Sequence, residues 1–460
     1  MARRRNVCVS TRSYYGDLHQ ATARFLPHQG LPLLSDDGRV RWSPRLLVMH
    51  AIFMAWSAGG TLKDRFGEAR QALVGIYPTR RRPGQTHAGF SKAMLQHGAI
   101  LLAIMADHWR GCLRRVAAQC WTVGGWALFG VDGSKFDSPR TAANEKGLGV
   151  SGRNNSGPQQ LVTCLFHVGS GVLWGWKRSG LKGSSERGHL LEMIQWLPAN
   201  AMLLADAGFT GYDLLKALLA HGNSFLIRVG ANVRLLQELG YAVREYKDTV
   251  YLWPHHQQGR NSKGRLSKGL GGVHPPLVLR LIRLKDAKGR PVCLLTNVHQ
   301  KRRLSDTMAA QMYRLRWGVE VIWRSLKQTM GQHKILAGAP QRAGVELDWA
   351  LAGLWLLQMI AVTRMIESGQ LPHRYSVAES LRVVRKAMTG KRPRRRSLAM
   401  ELTTAVKDQY VRHGPKAARH FPKKRPQRPP GQPQARMATR EEKALAQALL
   451  NQPPPESIAA

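Results

Sequence analysis

Four side chains in the last third of the chain are spaced to work together. Tyr313, Arg316, Glu320 and Lys327 stand at offsets of zero, three, seven and fourteen. At about 100° per residue of α-helix they fall within roughly a 60° arc of one face. Met312, Leu315, Val319, Ile322, Trp323 and Leu326 occupy the adjoining arc. A helix here can therefore pack its apolar side on a sheet while its edge aims a phenol, a guanidinium, a carboxylate and an ammonium at one point. A carboxylate among cations is ordinarily a solvated ion pair, here Glu320 with Arg316 or Arg324. The same group can instead hold a metal ion while its neighbours grip phosphate oxygens. Phosphodiester cleavage by two metal ions needs further carboxylates, placed to hold the ions about 3.5–4 Å apart.

Two aspartates can supply them. Asp132 follows the apolar run Trp126–Val131, and Asp206 follows Ala201–Ala205. Both runs read as buried strands, each ended by a turn signal, Asp132-Gly133-Ser134 and Asp206-Ala207-Gly208. Sites in open α/β sheets gather at such strand ends. Asp137 is the alternative to Asp132. Glu186 and His189 read as cap and surface residues of a helix starting at Ser184-Ser185-Glu186. His255-His256 reads as a loop pair, with no partner at metal-ligand spacing. The Gly147–Gly157 loop lacks the Gly-Lys-Ser/Thr ending of a nucleotide loop and reads as a flexible active-site loop. Trp323 falls in the apolar arc and reads as core. Trp317, beyond the polar edge, is the candidate for stacking on a displaced base.

The elements around these residues change character along the chain. Residues 1–118 read as a helical domain, with apolar spacing over 46–56, 62–76 and 90–112, helix starts at Pro44 and Thr61, and a basic loop at 78–84. Residues 119–222 hold the two strands, a hairpin of Leu161–Val168 and Val172–Lys177, and two helices. Residues 223–300 are β-rich, with strands at 225–229, 249–253, 277–284 and 292–297. Helices resume over 301–388 from Ser305. Residues 389–460 are basic and proline-broken, expected to be a mostly disordered tail apart from a helix near Glu441–Leu450. The sum is a mixed α/β core with a β-rich insertion.

Composition bounds the partner. The chain of 460 residues carries 70 Lys and Arg against 28 Asp and Glu, a formal net charge of +42. Such a charge calls for a polyanion, and nucleic acid fits better than an anionic membrane surface. No membrane span is read from the early apolar run at 46–55, and Met1-Ala2-Arg3-Arg4-Arg5 lacks the apolar stretch of a secretory signal. The five cysteines show no Cys-x-x-Cys spacing, which points to a reducing cytoplasm and away from a zinc or disulfide framework.

The spacing Tyr313-x2-Arg316-x3-Glu320-x6-Lys327 resembles the Tyr-Arg-Glu-Lys signature of insertion-sequence-four-type transposases. These are DDE transposases with a ribonuclease-H-like catalytic core. Asp132-Gly133-Ser134 resembles the first Asp motif of the family and Asp206-Ala207-Gly208-Phe209 the second. The resemblance covers roughly Gly125 to Leu336, and the long interval before Glu320 matches members with an inserted β-domain. It implies Asp132, Asp206 and Glu320 as ligands of two Mg²⁺ ions, or of Mn²⁺ in their place. Tyr313, Arg316 and Lys327 would contact DNA phosphate. It implies cut-and-paste transposition on double-stranded DNA, with terminal inverted repeats and target DNA as partners and a homodimer pairing two ends. Excision through a hairpin and a nucleoid-associated cytoplasmic location go with it. One departure stands out: many members carry Arg after the second Asp, where this chain has Ala207, and Arg228 is the candidate to replace that contact. The rival readings are a site-specific endonuclease with the same core and a DNA-binding derivative without catalysis.

Overall fold

The computed structural model describes residues 14–27, 29–32, 41–77, 83–150, 157–181, 184–253, 274–286, 289–391, 396–408 and 430–451. The basic N-terminus, most of the basic loop after residue 77, the centre of the Gly147–Gly157 loop, His255-His256 and most of the basic tail lie outside the described residues. The helices are α1 Tyr14–Ala23, α2 Pro44–Trp56, α3 Leu62–Ile76, α4 His87–Val116, α5 Ala142–Leu148, α6 Glu186–Met193, α7 Tyr212–Ala220, α8 Asp306–Leu315, α9 Gly318–Arg324, α10 Pro340–Glu367, α11 Val377–Met388, α12 Leu398–Thr403 and α13 Arg440–Leu450. The strands are β1 Ala127–Asp137, β2 Gln159–His167, β3 Val172–Gly180, β4 Ala201–Ala205, β5 Ser224–Val229, β6 Arg234–Gln237, β7 Thr249–Leu252, β8 Leu277–Lys285, β9 Pro291–Thr296 and β10 Gln434–Met437. This is a mixed α/β architecture. The chain divides into two compact units, the first Met1–Val123, Asp132–His189 and Trp317–Val411, the second Gly124–Val131, Leu190–Arg316 and Arg412–Ala460.

The first unit is built around α10. Its residues from Ala350 to Val362 are all buried, which is the signature of a helix enclosed on every side. It packs on α2, α4, α11, α12 and β3. At Gly353 a Cβ would fall 2.6 Å from that of Ala55, so only glycine lets α2 approach this closely, and Trp56 Nε1 seals the contact by donating to Gly353 O at 2.8 Å. Helix starts follow the caps expected from sequence. Ser43 accepts from Leu46 N with Pro44 in the first turn, and Thr61 and Asp64 form a capping box at α3. α4 and α10, unlike the early apolar run at 46–55, are each long and apolar enough to cross a membrane. The apolar window of α10 is 89% buried and that of α4 28%. The antiparallel pair β2 and β3 completes this unit, turning at Gly171 with φ +69°.

The second unit holds a large mixed sheet in the order β10-β6-β7-β8-β9-β5-β4 and the start of β1. β1, β4 and β5 run parallel, with Ala127 opposite Ala201 and Met202 opposite Ser224, whereas β5, β9, β8 and β7 alternate in direction. The strands of residues 223–300 thus extend the sheet that carries β4 rather than forming a separate layer. Arg280, 1% exposed, ties this extension to α8. It donates to Asp248 and to Leu304 O at 3.0 and 2.7 Å and pairs with Asp306.

The expected disordered tail does not hold for residues 430–451. β10 adds in parallel to β6, and α13, started by a Thr439–Glu442 capping box, lays Ala446, Leu445 and Leu449 on Leu236, Leu239, Tyr251 and Trp253. The proline-rich composition concealed a segment that closes an apolar cluster.

Candidate active site

In the first unit, the site residues sit on β1 and on the stretch after residue 316. The turn expected at Asp132-Gly133-Ser134 is absent, because β1 runs on to Asp137, where Ile335 N donates to Asp137 O at 2.9 Å and Lys334 bridges in parallel. Asp132, Ser134 and Phe136 share one face by the two-residue period of a strand. That face receives Lys327: its ammonium donates to Ser134 Oγ at 2.7 Å and to Lys135 O at 2.8 Å, and stands 4.7 Å from the Phe136 ring. Trp323, buried as expected of a core residue, meets Phe136 edge-on at 5.8 Å. Asp132 is half-buried, and its charge adds to burial in pushing the thiol of Cys164 on β2 upward.

Gly133 faces the other way. A Cβ there would fall 2.1 Å from Glu186 Oε1, so Glu186 lies against the strand behind Asp132 instead of acting as a plain cap. Buried His189 holds this arrangement, bonding Thr163 Oγ1 on β2 at 3.0 Å and Ser179 Oγ on β3 at 2.8 Å. Sequence reasoning undervalued both residues. The missed signal was a glycine directly after a strand carboxylate, with an acid available to fill the space.

Residues 313–327 do not form the single uniform helix that their spacing predicts. The α-helical hydrogen bonding lapses between α8 and α9, although Arg316 and Trp317 keep helical dihedrals. Gly318 packs so tightly that a Cβ would lie 2.8 Å from the Phe166 ring. Residues Ser325–Thr329 then form a π-helical turn, which rotates Lys327 away from its place on an ideal α-helix. Glu320 is half-buried and Trp317 is 57% exposed.

In the second unit, Asp206 caps the short turn Ala207–Phe209, its Oδ1 accepting from Gly208 N at 2.9 Å. Arg228 lies on the neighbouring β5, where Ala205 pairs with Ile227. The Arg316 guanidinium stands 5.8 Å over the Tyr313 ring. Burial raises the Tyr313 phenol, Arg316 and then Arg228 draw it down, and Asp206 pushes it up. The charges of Arg316, Arg228 and Asp206 thus all act on the Tyr313 phenol. The sequence-predicted residues thus fall in two groups, Asp132, Trp317, Glu320 and Lys327 in one unit and these four in the other. Among the described residues, no group of three or more His, Cys, Asp or Glu side chains is placed to hold a metal ion. The donors themselves are half-buried carboxylates, hard oxygen ligands of the kind that magnesium and manganese take.

Residues 170–356 match the model of the transposase DDE domain. This segment is similar to transposase DDE domains. The domain match takes in Asp206, Arg228 and the whole stretch from Tyr313 to Lys327, and starts after Asp132. The chain is 24% identical over 274 residues to the transposase InsG for insertion sequence element IS4 of Escherichia coli, a span of 57% of this chain and 59% of that protein. It is 21% identical over 180 residues to a putative transposase for insertion sequence element IS4SA of Synechocystis, 38% of this chain and 45% of that protein. The chain therefore aligns with less than two thirds of the length of these relatives. Among solved structures it is similar to the piggyBac transposase in a synaptic complex with hairpin DNA, with a TM-score of 0.40, 12% identity, and coverage of 88% of this chain and 84% of that one.

Proposed function

We propose that the protein is a DNA transposase that cuts and rejoins DNA strands at the ends of an insertion sequence. The observation that carries this reading is the DDE domain match over a segment in which the charges of Arg316, Arg228 and Asp206 all act on the Tyr313 phenol. The core is of the ribonuclease-H-like kind, with 1–118 as a helical DNA-binding domain, 119–222 and 301–388 as the catalytic core, 223–300 as a β-rich insertion and the rest a basic tail. By the family resemblance, Asp132, Asp206 and Glu320 would hold the divalent metal ions, Mg²⁺ or Mn²⁺. Such ions would supply charge stabilisation for in-line attack on phosphorus. Arg228 and Arg316 hold phosphate oxygens in forked geometry. Tyr313, kept protonated by burial, donates its hydroxyl to the same oxygens. Lys327, fixed by Ser134 and Phe136, presents a positive charge beside Asp132, and Trp317 stacks on a displaced base.

The substrates are terminal inverted repeats and target DNA, paired by a homodimer, with excision through a hairpin. The setting is the cytoplasm at the nucleoid, without a membrane role for α4 or α10.

Pre-cleaved element ends mixed with a target plasmid test the assignment. Joined products are expected with divalent metal. Cleavage without joining would identify a nuclease, and DNA binding without either would leave a binding protein.

A further inference from the structure

We propose that a polar cavity of the first unit, between the loop Ser57–Gly60 and the turn after α9, binds a phosphate of the DNA backbone. The proposal rests on the DNA-acting reading above and adds a binding site outside its residues. The cavity measures about 420 Å³, and its lining includes Gly59, Gly60, Arg65, His333, Lys334 and Arg385. The cations Arg65, Lys334 and Arg385 come from three separate regions of the chain and converge on one space. Two of them are committed to the loop. Arg385 donates to Trp56 O at 2.6 Å and Ser57 O at 3.1 Å, and Arg65 donates to Gly59 O at 3.0 Å. The carbonyl oxygens that would repel an anion are thus engaged by guanidinium groups, which keep their positive charge. Two acids stand nearby and both are occupied: Glu68 accepts from Ser57 Oγ at 2.6 Å and Ala58 N at 3.2 Å, and Glu346, which also pairs with Arg65 at 3.9 Å, accepts from Leu336 N and Ala337 N at 3.0 and 2.9 Å. His333 and Lys334 are exposed at the rim, as suits groups that meet a ligand arriving from solvent.

The position suits a duplex that also reaches the candidate active site. Lys334 bridges to Asp137, five residues along β1 from Asp132, which is about 17 Å at ~3.3 Å per residue. Gln328 and Thr329 of the π-helical turn line the cavity and follow Lys327 directly. The ligand class is a phosphodiester, bound by charge and without base readout.

The test is the salt dependence of binding of the full chain to a short labelled duplex of arbitrary sequence, without divalent metal. The variant is His333→Gln with Lys334→Gln, and Lys92→Gln on exposed α4 is the control. For the double variant, a log K against log salt slope shallower by about one unit for each phosphate left unneutralised is expected, with several-fold weaker binding and an unchanged thermal midpoint. The control should keep the parent slope. A parent that binds while the double variant keeps its slope overturns the cavity alone, as does an equal effect of Lys92→Gln. A parent that does not bind DNA overturns the DNA reading together with the cavity.

Discussion

At the scale of single residues, Gly133 is the sharpest constraint near Asp132. Glu186 occupies the space a side chain would need, and its flexible end must swing aside, so Gly133→Ala should cost about 1 kcal/mol, the low end of overpacking. Adding Glu186→Ala should recover part of it, and a denaturation double-mutant cycle would measure the coupling. Additive losses would show that the two do not compete for space. His50 gives a second residue-scale expectation. It is fully buried between Trp42, Phe66 and Phe90, and neither ring nitrogen has a hydrogen-bond partner among the described residues. Burial, then Arg70 and His87, lowers its pKa to about 3. The unfolded chain therefore binds a proton that the folded chain refuses between pH about 6.5 and about 3, and stability falls as pH falls through that window. From pH 7 to pH 5 the loss from this one group is about 2 kcal/mol. His50→Phe should remove that part of the acid sensitivity, read as a smaller difference between denaturation midpoints at the two pH values.

At the scale of elements, Arg280 joins β8 to Asp248 and to the start of α8. Arg280→Met leaves the Leu304 carbonyl without this donor and Asp248 with its Lys301 pair, and should destabilise by about 1–3 kcal/mol, the cost of leaving buried polar groups unsatisfied. A thermal midpoint equal to the parent's would refute this. The elements also show what the sequence disclosed. β4 and the start of β1 were legible because they are continuous apolar runs between polar ends, and α2, α3 and α8 because Ser43, Thr61 and Ser305 cap them. The run of β1 past Asp132 was hidden, because Asp-Gly-Ser reads locally as a turn and only the bridge to Lys334 and the packing of Glu186 extend the strand. β6 and β10 escaped because polar residues bound or interrupt their four-residue runs, whereas β7, equally short, is buried throughout. The residue types of the candidate site were legible. The break at Trp317 and the π-helical turn were not, since both come from tertiary packing, as at Gly318 against Phe166.

At the scale of the whole molecule, the C-terminal region has a structural part. Ending the chain before Pro430 removes β10 and α13 and bares Leu236, Leu239, Tyr251 and Trp253. The truncated protein should bind a hydrophobic dye and melt earlier than the parent; unchanged melting would contradict the packing of α13. The net charge of +42 makes a further claim about the whole chain. DNA affinity should fall steeply with salt, in proportion to the phosphates neutralised, and a flat dependence would exclude a large footprint.

The most direct measurement is the yield of joined product from pre-cleaved element ends in Mg²⁺ for the parent and for Asp132→Asn, Asp206→Asn and Glu320→Gln in turn. Product is predicted from the parent, with a loss of at least about 10²–10³-fold in each variant, the scale seen on removing one preorganised electrostatic group. Full product from any one of the three, with the parent active, would contradict the shared role given to these acids.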